Sequence, residues 1–155
     1  MNTLHILSSS HERTQQIGTI IGKSVIPNDL ILLSGTLGSG KTCLTQGIAW
    51  GLDINEYTLS PTFVLVREYY GRLRLYHIDL YRLDTGEDMM NIGLDDYVYG
   101  NGVCVIEWAE KGESILPASN LSIQFSYLSQ HERDIRIEAH GEHYEQLLKT
   151  VAESL

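Results

Sequence analysis

The sequence predicts an α/β domain in which a mixed β-sheet is flanked by helices, and three observations predict it. The apolar run Leu30-Ile31-Leu32-Leu33 suits a strand buried on both faces, as a parallel sheet requires. A glycine-rich turn follows it and leads directly into a helical pattern. Further on, two β-rich runs are hinged at Gly71-Arg72, a strong hairpin signal. Strands that first alternate with helices and then fold back as a hairpin argue for this class.

Each element has its own justification. Thr3 to Leu7 is a short strand. Ser9-x-x-Glu12 has the form of a capping box and opens a helix with an apolar stripe of Ile17, Ile20, Ile21 and Val25, leaving Thr14 and Gln15 on the wetter side. Pro27-Asn28-Asp29 is a turn before the buried strand. Thr42 to Gly51 reads as a helix ending at glycine. Asp53 to Pro61 is a polar connection without periodicity. Phe63 to Tyr70 and Leu73 to Leu80 are the two arms of the hairpin. Glu87 to Asn91 is a short helix closing at Gly93, and Gly102 to Ile106 is another buried strand. Leu121 to Tyr127 and Asp134 to Ala139 alternate as strands. The tail from Glu142 carries Tyr144, Leu147, Leu148, Val151 and Leu155 at helical spacing.

The chain has 155 residues, which suits one domain spanning 1–155, and three prolines and no repeat leave no linker to divide it. Apolar residues at 43% and charged residues at 20% are ordinary globular usage and argue against a disordered chain. No apolar run exceeds four residues, too short to span a bilayer, and the first residues lack the form of a signal peptide. A soluble, cytoplasmic protein without a membrane partner is expected. The net charge of −9 argues against a protein that grips DNA or RNA unaided, because neutralising phosphates drives such binding. Arg67, Arg72, Arg74 and Arg82 form the one local excess of base, either a solvated hairpin face or an anion-facing patch. Cys43 and Cys104 lack any zinc or disulfide spacing and read as reduced thiols.

The stretch Gly35-Thr36-Leu37-Gly38-Ser39-Gly40-Lys41-Thr42 matches G-x-x-x-x-G-K-[ST], between a strand and a helix as that motif requires. Gly38 and Gly40 allow backbone angles closed to other residues and leave no side chain between amide and phosphate. The amides through Cys43 then point at phosphate oxygens, aided by the helix dipole. Lys41 brings a point charge to the β and γ phosphates, and the Thr42 hydroxyl is a ligand for Mg²⁺. The fold is therefore expected to be that of a P-loop NTPase. Neither Asn-Lys-x-Asp nor Asp-x-x-Gly occurs, which favours ATP over GTP.

Such a site also needs a carboxylate at a strand end, to hold the magnesium shell or orient the attacking water. Asp79 closes one strand run and Glu107 another, and either could orient the water. Alternation puts His77 on the face of Asp79, where it reads as a structural hydrogen-bonder. Ser60-Pro61-Thr62-Phe63 is either a loop-to-strand junction or a switch-like loop ahead of the hairpin. Trp108 is either core filling or an aromatic beside the site.

Together the P-loop, Ser60-Pro61-Thr62-Phe63, the run Tyr76-His77-Ile78-Asp79-Leu80-Tyr81-Arg82-Leu83 and Ile106-Glu107-Trp108-x-Glu110-Lys111-Gly112 resemble the bacterial TsaE family (formerly YjeE) in order and interval. The resemblance runs essentially end to end. It implies a small ATPase needed for the threonylcarbamoyl modification of adenosine in tRNA, working with the TsaD and TsaB proteins, which would handle the tRNA. It further implies that Thr42 and Glu107 hold Mg²⁺ and that Asp79 is the acid needed for hydrolysis. His11 and Arg133 resemble contacts to the base end of the nucleotide. Ser39 and Cys43 stand where Ala and Thr are more usual, at positions where backbone amides do the binding. Lys41 and Asp79 are thus the expected catalytic residues. Gly38, Ser39, Gly40, Lys41, Thr42, Cys43, His11 and Arg133 are expected to bind ATP. Intrinsic turnover should be slow, since no motif fixes an arginine finger, although Arg67 and Arg82 could reach the phosphates. A small-molecule kinase and a nucleotide-gated assembly factor are the rival readings.

Overall fold

The computed structural model describes residues 2–36, 38–58, 61 and 65–155. Among these, seven strands form one sheet in the order β1-β7-β6-β2-β5-β4-β3. The strands are β1 Thr3–Ser8, β2 Leu30–Ser34, β3 Val66–Tyr70, β4 Arg74–Asp79, β5 Val103–Glu107, β6 Asn120–Tyr127 and β7 Arg133–His140. The helices are α1 His11–Ser24, α2 Lys41–Gly51, α3 Gly86–Asn91, α4 Leu94–Val98 and α5 Glu142–Ser154, with a 3-10 turn at Ala109–Gly112. The four central strands β6, β2, β5 and β4 run parallel, and β3, β7 and β1 pair antiparallel to their neighbours. This is the mixed sheet the sequence predicts, with β3–β4 as its hairpin.

Strand alternation divides the core between the two faces. Ile31, Leu33, Val103, Val105, Leu121 and Ile123 pack with α1, α2 and α5. Leu30, Cys104, Ile106 and Ile78 face the other way, against Met89 of α3 and Leu94 and Val98 of α4. A strand buried on both faces must be apolar throughout, which is why β2 and β5 read as unbroken runs.

Helices α1 and α2 touch backbone to backbone. A Cβ at Gly18 would stand 2.3 Å from the Leu44 carbonyl oxygen, and one at Gly22 would stand 2.2 Å from that of Ile48. One at Gly47 would stand 2.1 Å from the Gln15 carbonyl oxygen. These contacts advance in the same direction along both helices, so the helices run parallel. Their first turns, with His11 on one and Cys43 on the other, therefore lie side by side.

Several elements differ from the sequence reading. The cap of α1 is Ser10, whose hydroxyl accepts from the Arg13 amide at 3.0 Å, and not Ser9. Thr14 is buried, not on the wetter side, because its hydroxyl is within 2.7 Å of that of Ser8. Ile20 is only partly buried. The hairpin hinge has three residues, Gly71 to Leu73, since Tyr70 pairs with Arg74. Gly93 ends α3 but also opens α4, a helix that the sequence pattern does not predict. Leu155 lies beyond the end of α5 and is exposed. The Ser60–Phe63 stretch lies outside the described residues except for Pro61. The four arginines do not share one face: Arg72 donates to the Gly22 carbonyl at the end of α1 at 2.8 Å, and Arg74 lies over the Tyr70 ring at 4.8 Å.

Candidate nucleotide-binding site

The turn after β2 meets the backbone demands that its glycines suggest. Gly38 has φ 75° and Gly40, which precedes the first turn of α2, has φ 118°. Both values lie in the left-handed region, which a Cβ disfavours. The buried Ser39 uses its amide within the turn, donating to the Thr36 carbonyl at 3.1 Å.

Lys41, at the start of α2, is only 5% exposed. Its ammonium donates to the carbonyls of Gly35 at 2.5 Å and Thr36 at 2.9 Å, and it stands 4.2 Å from the centre of the Trp108 ring. Burial pushes its pKa down, against the opposing pull of Glu107, Glu110 and Asp79. Trp108 reaches this position because its backbone is left-handed, at φ 57°, an uncommon and strained conformation for a bulky residue. Its ring also packs on Tyr81 at 4.9 Å. Trp108 is thus an aromatic beside the site, the alternative that sequence spacing left open.

The two acids arrive on neighbouring strands. In the parallel register Asp79 lies opposite Glu107, and Glu107 lies opposite Leu33, the last residue but one of β2. Their exposures of 2% and 3% mean that both carboxylates are held by protein groups. Asp79 accepts from the Tyr81 amide at 2.8 Å, a turn bonded by its own side chain. Glu107 has Thr42 Oγ1 at 3.3 Å from each of its oxygens and a short hydrogen bond to His77 Nε2. His77 is wholly buried, on the face that alternation predicts, and acts as a hydrogen-bonder.

This donor set suits a hard cation. A hydroxyl and carboxylate oxygens match Mg²⁺, which takes one or two carboxylates and completes its shell from phosphate and water. No group of three or more His, Cys, Asp or Glu arranged to hold a metal occurs among the described residues.

The far end of the turn opens on a small cavity of about 50 Å³ lined by His11, Gly38, Gly40, Cys43 and Arg133 among others. The structure thus brings His11 and Arg133 together with the turn, although they are far apart in sequence. Cys43 donates to the His11 carbonyl at 3.3 Å, and burial, with Glu12 nearby, pushes its thiol pKa up. The Arg133 guanidinium lies 3.9 Å from the Tyr127 ring and donates to the carbonyls of Ser129, Gln130 and Glu132.

Two further residues, Tyr127 and Glu110, border this turn. Tyr127 donates its hydroxyl to the Gly38 carbonyl at 2.7 Å, pinning the β6–β7 turn to the glycine turn. No local signal could reveal a contact made across so much chain. Glu110 lies against the Gly35 amide, and burial raises its pKa. It stands in the run Ile106-Glu107-Trp108-x-Glu110-Lys111-Gly112, and that run is the sequence signal that points to it.

Comparison with known proteins places the chain in a family. Residues 8–135 match the family model described as threonylcarbamoyl adenosine biosynthesis protein TsaE. A relative from Treponema pallidum (strain Nichols), named tRNA threonylcarbamoyladenosine biosynthesis protein TsaE, is 42% identical over 86% of this chain and 99% of its own length. The protein of the same name from Bacillus subtilis (strain 168) is 41% identical over 91% of this chain and 89% of its own. The crystal structure of YdiB from Bacillus subtilis superposes with a TM-score of 0.85 at 35% identity, covering 98% of this chain and 95% of that one. The order of strands, the glycine turn and the matched span leave one conclusion: this chain belongs to the TsaE family.

Proposed function

We propose that the chain is a Mg²⁺-dependent ATP hydrolase of tRNA threonylcarbamoyladenosine biosynthesis, acting in the cytoplasm with TsaD and TsaB. One observation carries the reading. The ends of three adjacent parallel strands bring together the glycine turn after β2, Glu107 on β5 and Asp79 on β4. The names of the relatives supply the pathway.

The chain's own groups divide the work. The turn amides and the start of α2 cradle the phosphates. Lys41 supplies positive charge to the β and γ phosphates, and His11, Cys43 and Arg133 border the base end. Thr42 and Glu107 would hold Mg²⁺, which when bound neutralises charge on the transferring phosphoryl group. Asp79 orients the attacking water or the hydration shell beside it. Water attacks the γ phosphorus in line, the bond to the bridging oxygen breaks, and ADP and phosphate leave.

The net charge of −9 favours partners as the tRNA-binding members, and a filter-binding assay at low salt should find no tight binding of tRNA by this chain alone. Hydrolysis by the isolated chain should be slow and should rise when TsaD and TsaB are added. Asp79→Ala should lower it by on the order of 10²–10³ while the protein stays folded. Hydrolysis by Asp79→Ala within a few fold of wild type would remove that residue from the chemistry. Equal capture of the chain by TsaD–TsaB with ATP, with ADP and without nucleotide would argue against nucleotide-controlled assembly.

A further inference from the structure

Resting on that reading, we propose that His77 is a positioning residue, which fixes Glu107 in the rotamer that meets Thr42 and the metal. Glu107 ends β5 and has three side-chain torsions, so the strand alone does not decide where its carboxylate points. Two groups from other elements decide it. Thr42, on the first turn of α2, is 3.3 Å from each carboxylate oxygen, and His77, in the middle of β4, bonds Oε2 through Nε2. A carboxylate only accepts, so His77 donates from Nε2.

A purely structural role does not account for this imidazole. Its side chain is 0% exposed, and its other nitrogen, Nδ1, is buried without a partner. On its own face of the sheet Leu75 and Val105 are fully buried and apolar, and on β3 the residue opposite it is Arg67. Burying a ring with one unpaired nitrogen destabilises the fold relative to a well-packed aliphatic side chain. The one specific thing gained at that position is a donor aimed at Glu107. Metal-ligating carboxylates are commonly oriented by such partners, whose loss weakens metal binding by roughly 10–100-fold.

The test uses three variants of the full chain. His77→Gln keeps an N–H donor at the reach of Nε2, His77→Leu has similar bulk without a donor, and His77→Asn is polar but too short. Mn²⁺ affinity is measured by electron paramagnetic resonance in the presence of a non-hydrolysable ATP analogue, and analogue affinity is measured separately in EDTA. His77→Leu and His77→Asn should each weaken Mn²⁺ by roughly 10–100-fold, with His77→Gln within a few fold of wild type. Analogue affinity without metal should be the same in all four proteins. Wild-type Mn²⁺ affinity in whichever of the Leu and Asn variants folds would overturn the role. So would loss in all three variants together with loss of metal-free binding, which would mark His77 as structural only. A wild type that binds the analogue but no Mn²⁺ would overturn the magnesium reading itself.

Discussion

The hydroxyl of Thr42 lies 3.3 Å from each oxygen of Glu107, so the start of α2 and the end of β5 converge on one point. If that point holds Mg²⁺, the two residues serve the metal and not the nucleotide directly. Thr42→Ala and Glu107→Gln should then weaken ATP binding in magnesium by at least the roughly 10–100-fold typical of lost metal-site partners. In EDTA all three proteins should bind alike. Calorimetric titration under both conditions checks this, and equal losses in EDTA would assign the pair to the nucleotide or the fold.

Lys41 rests against Trp108, 4.2 Å from the ring centre, and this contact should report binding. If the ammonium serves the phosphates, nucleotide draws it off the indole and changes the emission of Trp108. The chain has two tryptophans, and the other, Trp50, packs against Tyr57 elsewhere on α2. The signal should survive in Trp50→Phe, vanish in Trp108→Phe and shrink in Lys41→Ala. A change that follows Trp50 would refute it.

How much of this was legible in the sequence depends on the range of the interaction. The glycine turn, β2 and the strand-end acids were readable because each rests on neighbouring residues. Helix α4, Leu94–Val98, was not, since five residues are too few to show a period. Ser9 and Ser10 are equally good caps by type, and only the backbone decides between them. Thr14 looked polar and therefore exposed, yet the Ser8 hydroxyl satisfies it inside the fold. The bond from Tyr127 to Gly38 depends on β6 lying beside β2, a matter of topology that no local window contains.

That bond should be worth measuring. A hydrogen bond of this kind contributes a net ~0.5–1.5 kcal/mol, so Tyr127→Phe should weaken nucleotide binding by up to about tenfold if the β6–β7 turn steadies the glycine turn. Arg133 keeps the ring beneath it in that variant. Unchanged affinity by fluorescence titration would mean the turn holds its shape unaided.

The buried Lys41 implies a cost to stability that depends on pH. Burial lowers its pKa from the ordinary 10.5. Between the lowered value and 10.5 the unfolded chain binds a proton that the folded chain does not, so stability rises with pH through that window. Below the window the charged group is disfavoured in the fold. Lys41→Met removes the charge and keeps most of the length. The melting temperature of Lys41→Met minus that of wild type should therefore be largest near neutral pH and fall as pH approaches 10.5. Melts of both proteins across that range, without nucleotide, test the sign, and a difference that grows with pH would contradict it.

The close approach of α1 and α2 ties packing to the site. A methyl at Gly47 would meet the Gln15 carbonyl oxygen at 2.1 Å, a backbone atom that cannot turn aside, so the helices must separate. Over-packing of this kind costs up to about 3 kcal/mol, which for a domain of this size is roughly 6–12 °C in melting temperature. Gly86→Ala is the control, since its methyl would make an ordinary 3.5 Å contact with Ile115. It should leave stability unchanged or slightly raised. Because His11 and Cys43 stand on the first turns of these two helices, separation should also widen the base end of the site. Gly47→Ala should thus weaken nucleotide binding at a temperature where it remains folded, whereas Gly86→Ala should not. A Gly47→Ala protein that melts early yet binds nucleotide like wild type would show that the helix contact serves the core alone.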